Sequence, residues 1–169
     1  MSDSHETKNK IFAFREDVVP RTTRSVYLKE AVSQSIAGFA KRFTYNAIDV
    51  VVDIPANLTF TTNESLFHSA IKCLCEEAIT NMPSGGELVF TSVVQDRALE
   101  LEIADSRQGY LQSPRIYSNS KLQDETEALQ PVCQFVAIHG GLVKAQNCPE
   151  GGVAFTIHLP LAKALRSAA

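Results

Sequence analysis

The sequence predicts an α+β domain, a two-layer α/β sandwich with a mixed, mostly antiparallel sheet and about three helices on one face. Three segments carry apolar residues at helical spacing. Short β-branched runs and two pairs of segments with hairpin character lie around them. The regular alternation of strand and helix that a Rossmann fold requires is absent.

Composition bounds the class of protein. The chain has 169 residues, 44% of them hydrophobic and 21% charged, which suffices for one domain with its own core. We expect a disordered polar lead-in over residues 1–10 and a single domain over residues 11–165. The net charge of −3, without a basic run, argues against nucleic acid as a partner. No stretch is long and apolar enough for a membrane span, and no signal peptide is apparent, so we expect a cytoplasmic protein without membrane contact.

The four cysteines are predicted to be free, buried thiols. They contain no CxxC pair, and residues two apart on a helix point away from each other. Cys73 and Cys75 are therefore not expected to bind one metal ion. Buried free cysteines behave as small hydrophobic residues.

The first part of the chain is predicted to hold a short strand, a helix and two further strands. The short strand is the apolar stretch at residues 11–19, before the break at Pro20. Residues 26–43 carry apolar side chains along one stripe, which indicates a single amphipathic helix. The β-branched run at 48–54 and the shorter one at 58–62 indicate strands.

A second helix and a hairpin are predicted next. Thr62 or Asn63 can cap the helix, which should end before Pro83. The segments ELVFTSVV and ALELEIAD follow, separated by a short turn at Asp96-Arg97. Regular alternation in the second segment indicates an antiparallel hairpin with one buried face.

The last part of the chain is predicted to hold a loop, a helix and a second hairpin. Residues 110–126 are polar and aperiodic, which predicts a long loop. Helical spacing resumes in ALQPVCQFVAIHGG, and the segments LVKAQN and VAFTIHLPL indicate the hairpin. The apolar side chains of the loop either contact a partner or pack onto their own domain: Tyr110, Leu111, Ile116, Tyr117 and Leu122.

Four features together resemble the ATP-binding domain of sensor histidine kinases and its relatives among the gyrase, Hsp90 and mismatch-repair ATPases. They are the helix that ends in PSGG before a strand, the strand that ends at Asp105, the helix that ends in HGG, and the closing GGVAFTIHLPL. The likeness covers residues 26–161. It implies the same sandwich fold, whereas function has to be argued from the site.

The resemblance implies a role in nucleotide binding for two positions on the helix at residues 63–82. In that family, two polar residues lie one turn apart there, and the second is an asparagine that helps to hold the magnesium ion. The matching residues are Cys73 and Glu77. A thiol is a poor Mg²⁺ ligand, whereas a carboxylate could bind the cation but would repel the triphosphate. Glu76 and Glu77 are interpreted first as a solvated helix face, because exposed carboxylates are the common case.

The family's first glycine box is an Asp-x-Gly-x-Gly turn, whose aspartate accepts a hydrogen bond from the adenine amino group. The matching residues are Asp105-Ser106-Arg107-Gln108-Gly109. Asp105 and Gly109 are kept, but Arg107 replaces a glycine whose backbone freedom the turn requires. A role for Asp105 as a strand-end turn residue is at least as strongly expected as a base contact.

The family's second glycine box packs backbone N–H groups against phosphate oxygens. The matching residues, Thr126-Glu127-Ala128-Leu129, contain no glycine. Glu127 also adds negative charge where a phosphate would lie. Phosphate binding is therefore disfavoured at this position.

Other catalytic patterns are missing from the sequence. His5 lies in the lead-in, while His68, His139 and His158 fall within the domain pattern and lack metal-ligand spacing. No GxSxG, Walker or zincin motif is present. Without a phosphoacceptor-histidine hairpin, the chain is not expected to be a complete histidine kinase.

Two functional hypotheses remain. The favoured one is a stand-alone, non-catalytic histidine-kinase-like domain with a degenerate nucleotide site and no bound cofactor. Its expected partner is a protein: a kinase, a phosphotransfer protein or a response regulator. The alternative is a divergent kinase domain of the sensor-kinase or anti-sigma-kinase type that binds ATP and Mg²⁺. Asp105, Gly109 and Glu77 would then line the cleft, with Glu77 as the Mg²⁺ ligand.

Overall fold

A computed structural model of the chain describes residues 22–109, 111–118 and 128–161. The expected lead-in at residues 1–10, the expected strand at 11–19 and part of the expected loop at 110–126 lie outside the described residues. So do both limits of the expected domain.

The described residues form eight strands and four helices. In chain order these are β1 (Arg24–Tyr27), α1 (Leu28–Ala37), α2 (Ala40–Tyr45), β2 (Ile48–Asp53), β3 (Thr59–Thr62), α3 (Glu64–Asn81), β4 (Gly86–Gln95), β5 (Ala98–Asp105), β6 (Arg115–Ser118), α4 (Gln130–Ile138), β7 (Leu142–Asn147) and β8 (Val153–Pro160).

Six strands form one mixed sheet in the order β2-β4-β5-β8-β7-β6. β2 and β4 are parallel, which a connection through α3 permits, and every other neighbouring pair is antiparallel. β1 and β3 form a separate antiparallel pair. The mixed, mostly antiparallel sheet and its two hairpins are confirmed.

One hydrophobic core joins the helices to the sheet. α3 packs against both α1 and α4, and side chains from these helices and from the sheet share the buried cluster. In β5, Leu99, Leu101 and Ile103 are buried while the residues between them are partly exposed, as the alternating sequence predicts. Phe67 of α3 meets Phe135 of α4 edge to face, with ring centroids 5.6 Å apart.

The helix α3 begins and ends as the sequence predicts. The Leu66 N–H donates to Asn63 Oδ1 at 3.1 Å, so Asn63 is the capping residue. The helix ends at Asn81, before Pro83. This start and length fix which residues of α3 share the face that carries the candidate site.

The single helix predicted over residues 26–43 is wrong in extent. Residues 24–27 form β1, and the helical residues divide into α1 and α2 at Gly38 and Phe39. There the Phe39 N–H donates to the Ile36 carbonyl at 2.9 Å, an i→i−3 bond that tightens the chain. The apolar stripe is largely buried, but periodicity alone does not distinguish one helix from two successive ones.

The loop predicted over residues 110–126 contains a strand. β6 pairs with β7, with Tyr117 opposite Val143. Tyr117 is buried in the core and Leu111 packs against it, so both belong to the domain's own packing, whereas Ile116 is exposed. Tyr110 and Leu122 lie outside the described residues. β6 was missed because a four-residue edge strand carries little alternation.

Candidate functional site

The candidate site lies between the C-terminal end of β5 and one face of α3. Cys73 and Glu77 lie one turn apart on α3, and residues four apart share a helix face. Asp105 is the last residue of β5, and its side chain is 2% exposed. The loop at residues 106–109 follows directly and connects the two elements through its side chains.

The Arg107 guanidinium joins Asp105 to Glu77. Its Nε donates to Asp105 Oδ1 at 2.7 Å and its Nη2 to Asp105 Oδ2 at 2.5 Å, which is the forked geometry of an arginine–carboxylate pair. Its Nη1 donates to Glu77 Oε1 at 3.3 Å. The guanidinium carbon also lies 5.9 Å from the centre of the Phe155 ring. Arg107 therefore fills the space between the two carboxylates.

The Arg107 side chain is 9% exposed, so its ion pairs are largely shielded from water. Burial alone would lower the pKa of Arg107. The hydrogen bonds and charges of Asp105, and then those of Glu77, raise its pKa overall. The guanidinium is thus held as a cation by the two carboxylates.

The backbone at the end of β5 is fixed by local contacts. The Arg107 N–H donates to Asp105 Oδ1 at 3.2 Å, which is the turn geometry expected of a strand-end aspartate. The Ser106 hydroxyl accepts the Glu87 N–H at 2.8 Å. A Cβ at Gly152 would lie 2.0 Å from the Asp105 carbonyl oxygen, so this close approach requires glycine.

The adjacent residues Glu76 and Glu77 have different environments. Glu76 is 51% exposed and forms a forked ion pair with Arg42, in which Arg42 Nη2 donates to Glu76 Oε2 at 2.7 Å. Glu77 is 28% exposed and accepts from Asn81 Nδ2 at 3.0 Å as well as from Arg107. The interpretation as a solvated face therefore describes Glu76, whereas Glu77 faces the candidate site.

Cys73 contacts the segment that matches the family's second glycine box. Its Sγ donates to the Ala128 carbonyl oxygen at 2.9 Å. Burial, and then the negative charge of Glu77, raise the pKa of the Cys73 thiol to about 11. The thiol keeps its proton at neutral pH and remains a donor. One face of α3 thus holds one loop through Glu77 and another through Cys73.

Gly109 lies in the same loop as Arg107, at a φ of +118° that favours glycine. Leu111 is fixed by the Asn147 side chain. The Leu111 N–H donates to Asn147 Oδ1 at 2.7 Å, and Asn147 Nδ2 donates to the Leu111 carbonyl oxygen at 2.9 Å. The chain is therefore anchored at Ser106 and again at Leu111, on either side of the stretch that holds Arg107 and Gly109.

The structure brings Asp105 and Glu77 to one guanidinium and places Gly109 two residues beyond it. From the sequence, Arg107 was interpreted only as a lost glycine, and its ion pairs were not predicted. An arginine two residues after an aspartate was a usable signal for the first pair, since its side chain can reach back to the strand end. The second pair depends on how α3 packs beside β5, which the local sequence does not show.

The histidines within the fold make structural contacts. His139 Nε2 accepts the Asn63 N–H at 3.4 Å, and its Nδ1 lies 2.8 Å from the Phe135 carbonyl oxygen. It thereby links the end of α4 to the start of α3. His68 Nδ1 lies 2.6 Å from the buried Ser35 hydroxyl.

The four cysteines are free thiols, as predicted. Cys75 and Cys133 are buried, whereas Cys73 and Cys148 are partly exposed. Within residues 22–109, 111–118 and 128–161, no three His, Cys, Asp or Glu side chains are placed to hold a metal ion. Across the same residues, no helix combines the length and apolar character needed to cross a membrane.

Comparison with known sequences gives one distant relative of interest. No family model matches the chain. The signal transduction histidine-protein kinase BaeS of Escherichia coli (strain K12) is 24% identical over 139 residues, which are 76% of this chain and 30% of BaeS. The chain thus spans less than a third of this curated relative.

Comparison with solved structures identifies the fold. The catalytic domain of the histidine kinase ThkA matches with a TM-score of 0.71 at 16% identity, covering 83% of this chain and 97% of that domain. ThkA in complex with the response regulator protein TrrA matches with a TM-score of 0.67 at 17% identity, covering 83% of this chain and 42% of the ThkA chain. The chain therefore has the fold of histidine kinase ATPase domains, as the sequence resemblance implied.

Proposed function

We propose that this chain is a histidine-kinase-like domain of two-component signalling that acts by binding another protein and does not transfer phosphate from ATP. The observation that carries the proposal is the position of Arg107. Its guanidinium donates hydrogen bonds to both carboxylate oxygens of Asp105. Asp105 matches the family's aspartate that accepts a hydrogen bond from the adenine amino group. An adenine amino group would have to displace a buried, forked ion pair to reach the same acceptor.

The charge of the cleft also opposes a triphosphate. Glu77 is a carboxylate where the family has an asparagine beside the phosphates, and Arg107 is already neutralised by Asp105 and Glu77. The second glycine box has no glycine, and the Ala128 carbonyl is bound to Cys73. The residues in this arrangement do not fit Mg-ATP, so no phosphoryl-transfer step is assigned to them.

The proposed partner is a component of the same signalling class: a kinase, a phosphotransfer protein or a response regulator. Support comes from the solved complex of the histidine kinase ThkA with the response regulator protein TrrA. Ile116, exposed on the edge strand β6, offers an apolar contact to a partner. The proposal places the chain in the cytoplasm, with one domain over residues 11–165.

Thermal unfolding of the full chain with and without millimolar Mg-ATP tests the proposal. A ligand at ~100 times its Kd stabilises a fold by about 2.7 kcal/mol, which raises Tm by roughly 5–10 °C in a domain of this size. We expect no such rise for the wild-type chain. A clear rise that disappears in Asp105→Asn, but persists in the exposed control Asp49→Asn, would contradict the proposal.

A divergent ATP-binding kinase domain is the second candidate. The observation in its favour is that Asp105 and Glu77, both at nucleotide positions of the family, lie within reach of one guanidinium. Nucleotide would then displace Arg107. Arg107→Gly separates the two candidates, because it restores the family's glycine. The non-catalytic proposal predicts that Mg-ATP does not raise the Tm of this variant, because Glu77 remains and the second glycine box still lacks glycine. The alternative predicts that Mg-ATP raises the Tm of this variant more than that of wild type.

A further inference from the structure

Arg107 is held by two carboxylates and lies near an aromatic ring. Asp105 presents both carboxylate oxygens from a position that is 2% exposed, Glu77 presents a third oxygen, and the Phe155 ring lies beside the guanidinium. Arg107 itself lies outside the regular structure, on the loop that follows β5. The buried Asp105 and the partly exposed Glu77 thus hold a cation that a loop supplies.

We propose that Asp105, Glu77 and Phe155 form a guanidinium-binding site, that Arg107 is its internal ligand, and that an arginine side chain of a protein partner is the ligand that replaces it. This inference rests on the proposed function, because it names the chemistry by which a partner enters the cleft.

The acceptor set selects a guanidinium over other groups. The two Asp105 oxygens receive parallel N–H bonds while a third nitrogen faces Glu77, and only a planar fork offers donors in that arrangement. A lysine ammonium is a compact point charge without this fork. An anion would be repelled, and a neutral group would leave the buried Asp105 carboxylate without a counter-charge.

The internal ligand, Arg107, lies on the loop after β5 and takes no part in the pairing of the sheet. Ser106 is anchored to Glu87, and Leu111 is anchored to Asn147, so Arg107 and Gly109 lie between two points that hydrogen bonds fix. Gly109 lies in the same stretch, and no atom of the other described residues comes within 4 Å of the position that a Cβ would take there. If a partner's arginine replaces Arg107, the buried Asp105 carboxylate keeps a cationic partner throughout. If Arg107 leaves without a replacement, Asp105 is left as an unpaired buried charge.

The test uses the full-length Arg107→Ala chain and two matched probes, ethylguanidinium chloride and ethylammonium chloride, at equal ionic strength. We expect ethylguanidinium to raise the Tm of Arg107→Ala and ethylammonium to leave it unchanged. Wild type should need at least roughly tenfold more ethylguanidinium, because a tethered side chain competes at high effective concentration. Adding Asp105→Asn to the variant should abolish the response. Three results would contradict the proposed site: an equal rise in Tm with both probes, a rise that persists after Asp105→Asn, or no rise with either probe.

A measurement on wild type covers the case in which Arg107→Ala does not fold. A shielded, hydrogen-bonded guanidinium should give an Nε–H resonance in ¹⁵N NMR spectra that exchanges slowly with water. We expect this signal to vanish in Arg107→Lys and to persist in Arg42→Lys. Absence of a protected signal from wild type would contradict the site. Stabilisation of wild type by Mg-ATP would instead overturn the proposed function, so the two failures are distinguishable.

Discussion

Two arginines pair with adjacent glutamates of α3, and they differ mainly in their exposure to water. Arg42 forks onto Glu76, with the two side chains 47% and 51% exposed. Arg107 bridges Glu77 and Asp105, and its side chain is 9% exposed. Each guanidinium also lies near an aromatic ring: Arg42 is 5.4 Å from the centre of Phe39, and Arg107 is 5.9 Å from that of Phe155.

Because the chemical groups are the same, burial decides what each pair does. The exposed Arg42–Glu76 pair links α2 to α3. Water and salt weaken it, so it contributes little to stability. The Arg107 network is shielded, so removing one member leaves a buried charge behind. The first pair lies on the surface, and the second fills a cleft.

The largest expected effect is that of Arg107→Ala. Breaking a buried ion pair by removing one partner destabilises proteins by about 3–5 kcal/mol, and we expect a loss of that order in the free energy of unfolding. Urea denaturation of the full chain measures it, with Arg42→Ala as the matched control. Arg42→Ala should stay close to wild type. If both variants lost the same free energy of unfolding, burial would not explain the difference between the two ion pairs.

An intermediate effect is expected from Asp105→Asn, and its sign should depend on Arg107. In wild type, the change removes the charge that Arg107 pairs with, so stability falls. In the Arg107→Ala background, the same change removes an unpaired buried charge, so stability rises. A double-mutant cycle from urea midpoints measures the coupling. Additive changes would mean that Asp105 and Arg107 do not interact energetically.

The smallest effect concerns Glu76. The hydrogen bond from Arg42 is the main cause that lowers the pKa of Glu76; burial opposes it, and the charge of Arg42 lowers the pKa further. A lowered folded-state pKa stabilises the fold above the ordinary carboxyl pKa, and that contribution is lost as pH falls through the lowered value. An NMR titration should therefore give a Glu76 midpoint below the ordinary value. It should return toward that value in Arg42→Ala or at high salt, and an unchanged midpoint would contradict the pairing.

Elements with a strong local pattern could be predicted from the sequence. The alternation in β5, the cap at Asn63 and the turn at Asp96-Arg97 are local features, and the structure contains each of them. The division of the first helix at Gly38 was missed because its apolar stripe continues across the break. β6 was missed because it is short and its extended conformation depends on pairing with β7, which lies far along the chain.

The candidate site was predictable only in part. The resemblance to histidine kinases selected Asp105 and Glu77, although 28 positions separate them in the chain. It gave no indication that Arg107 would pair with both, because the family has a glycine there. Whether such an arginine points to solvent or into the cleft depends on the packing of α3 beside β5, which is a tertiary property.

A crystal structure of the full chain grown with saturating Mg-ATP would show whether nucleotide enters the cleft between β5 and α3. We expect Arg107 to remain forked onto Asp105, with no nucleotide between these two elements. An adenine amino group within hydrogen-bond distance of Asp105, with Arg107 displaced from the cleft, would contradict it.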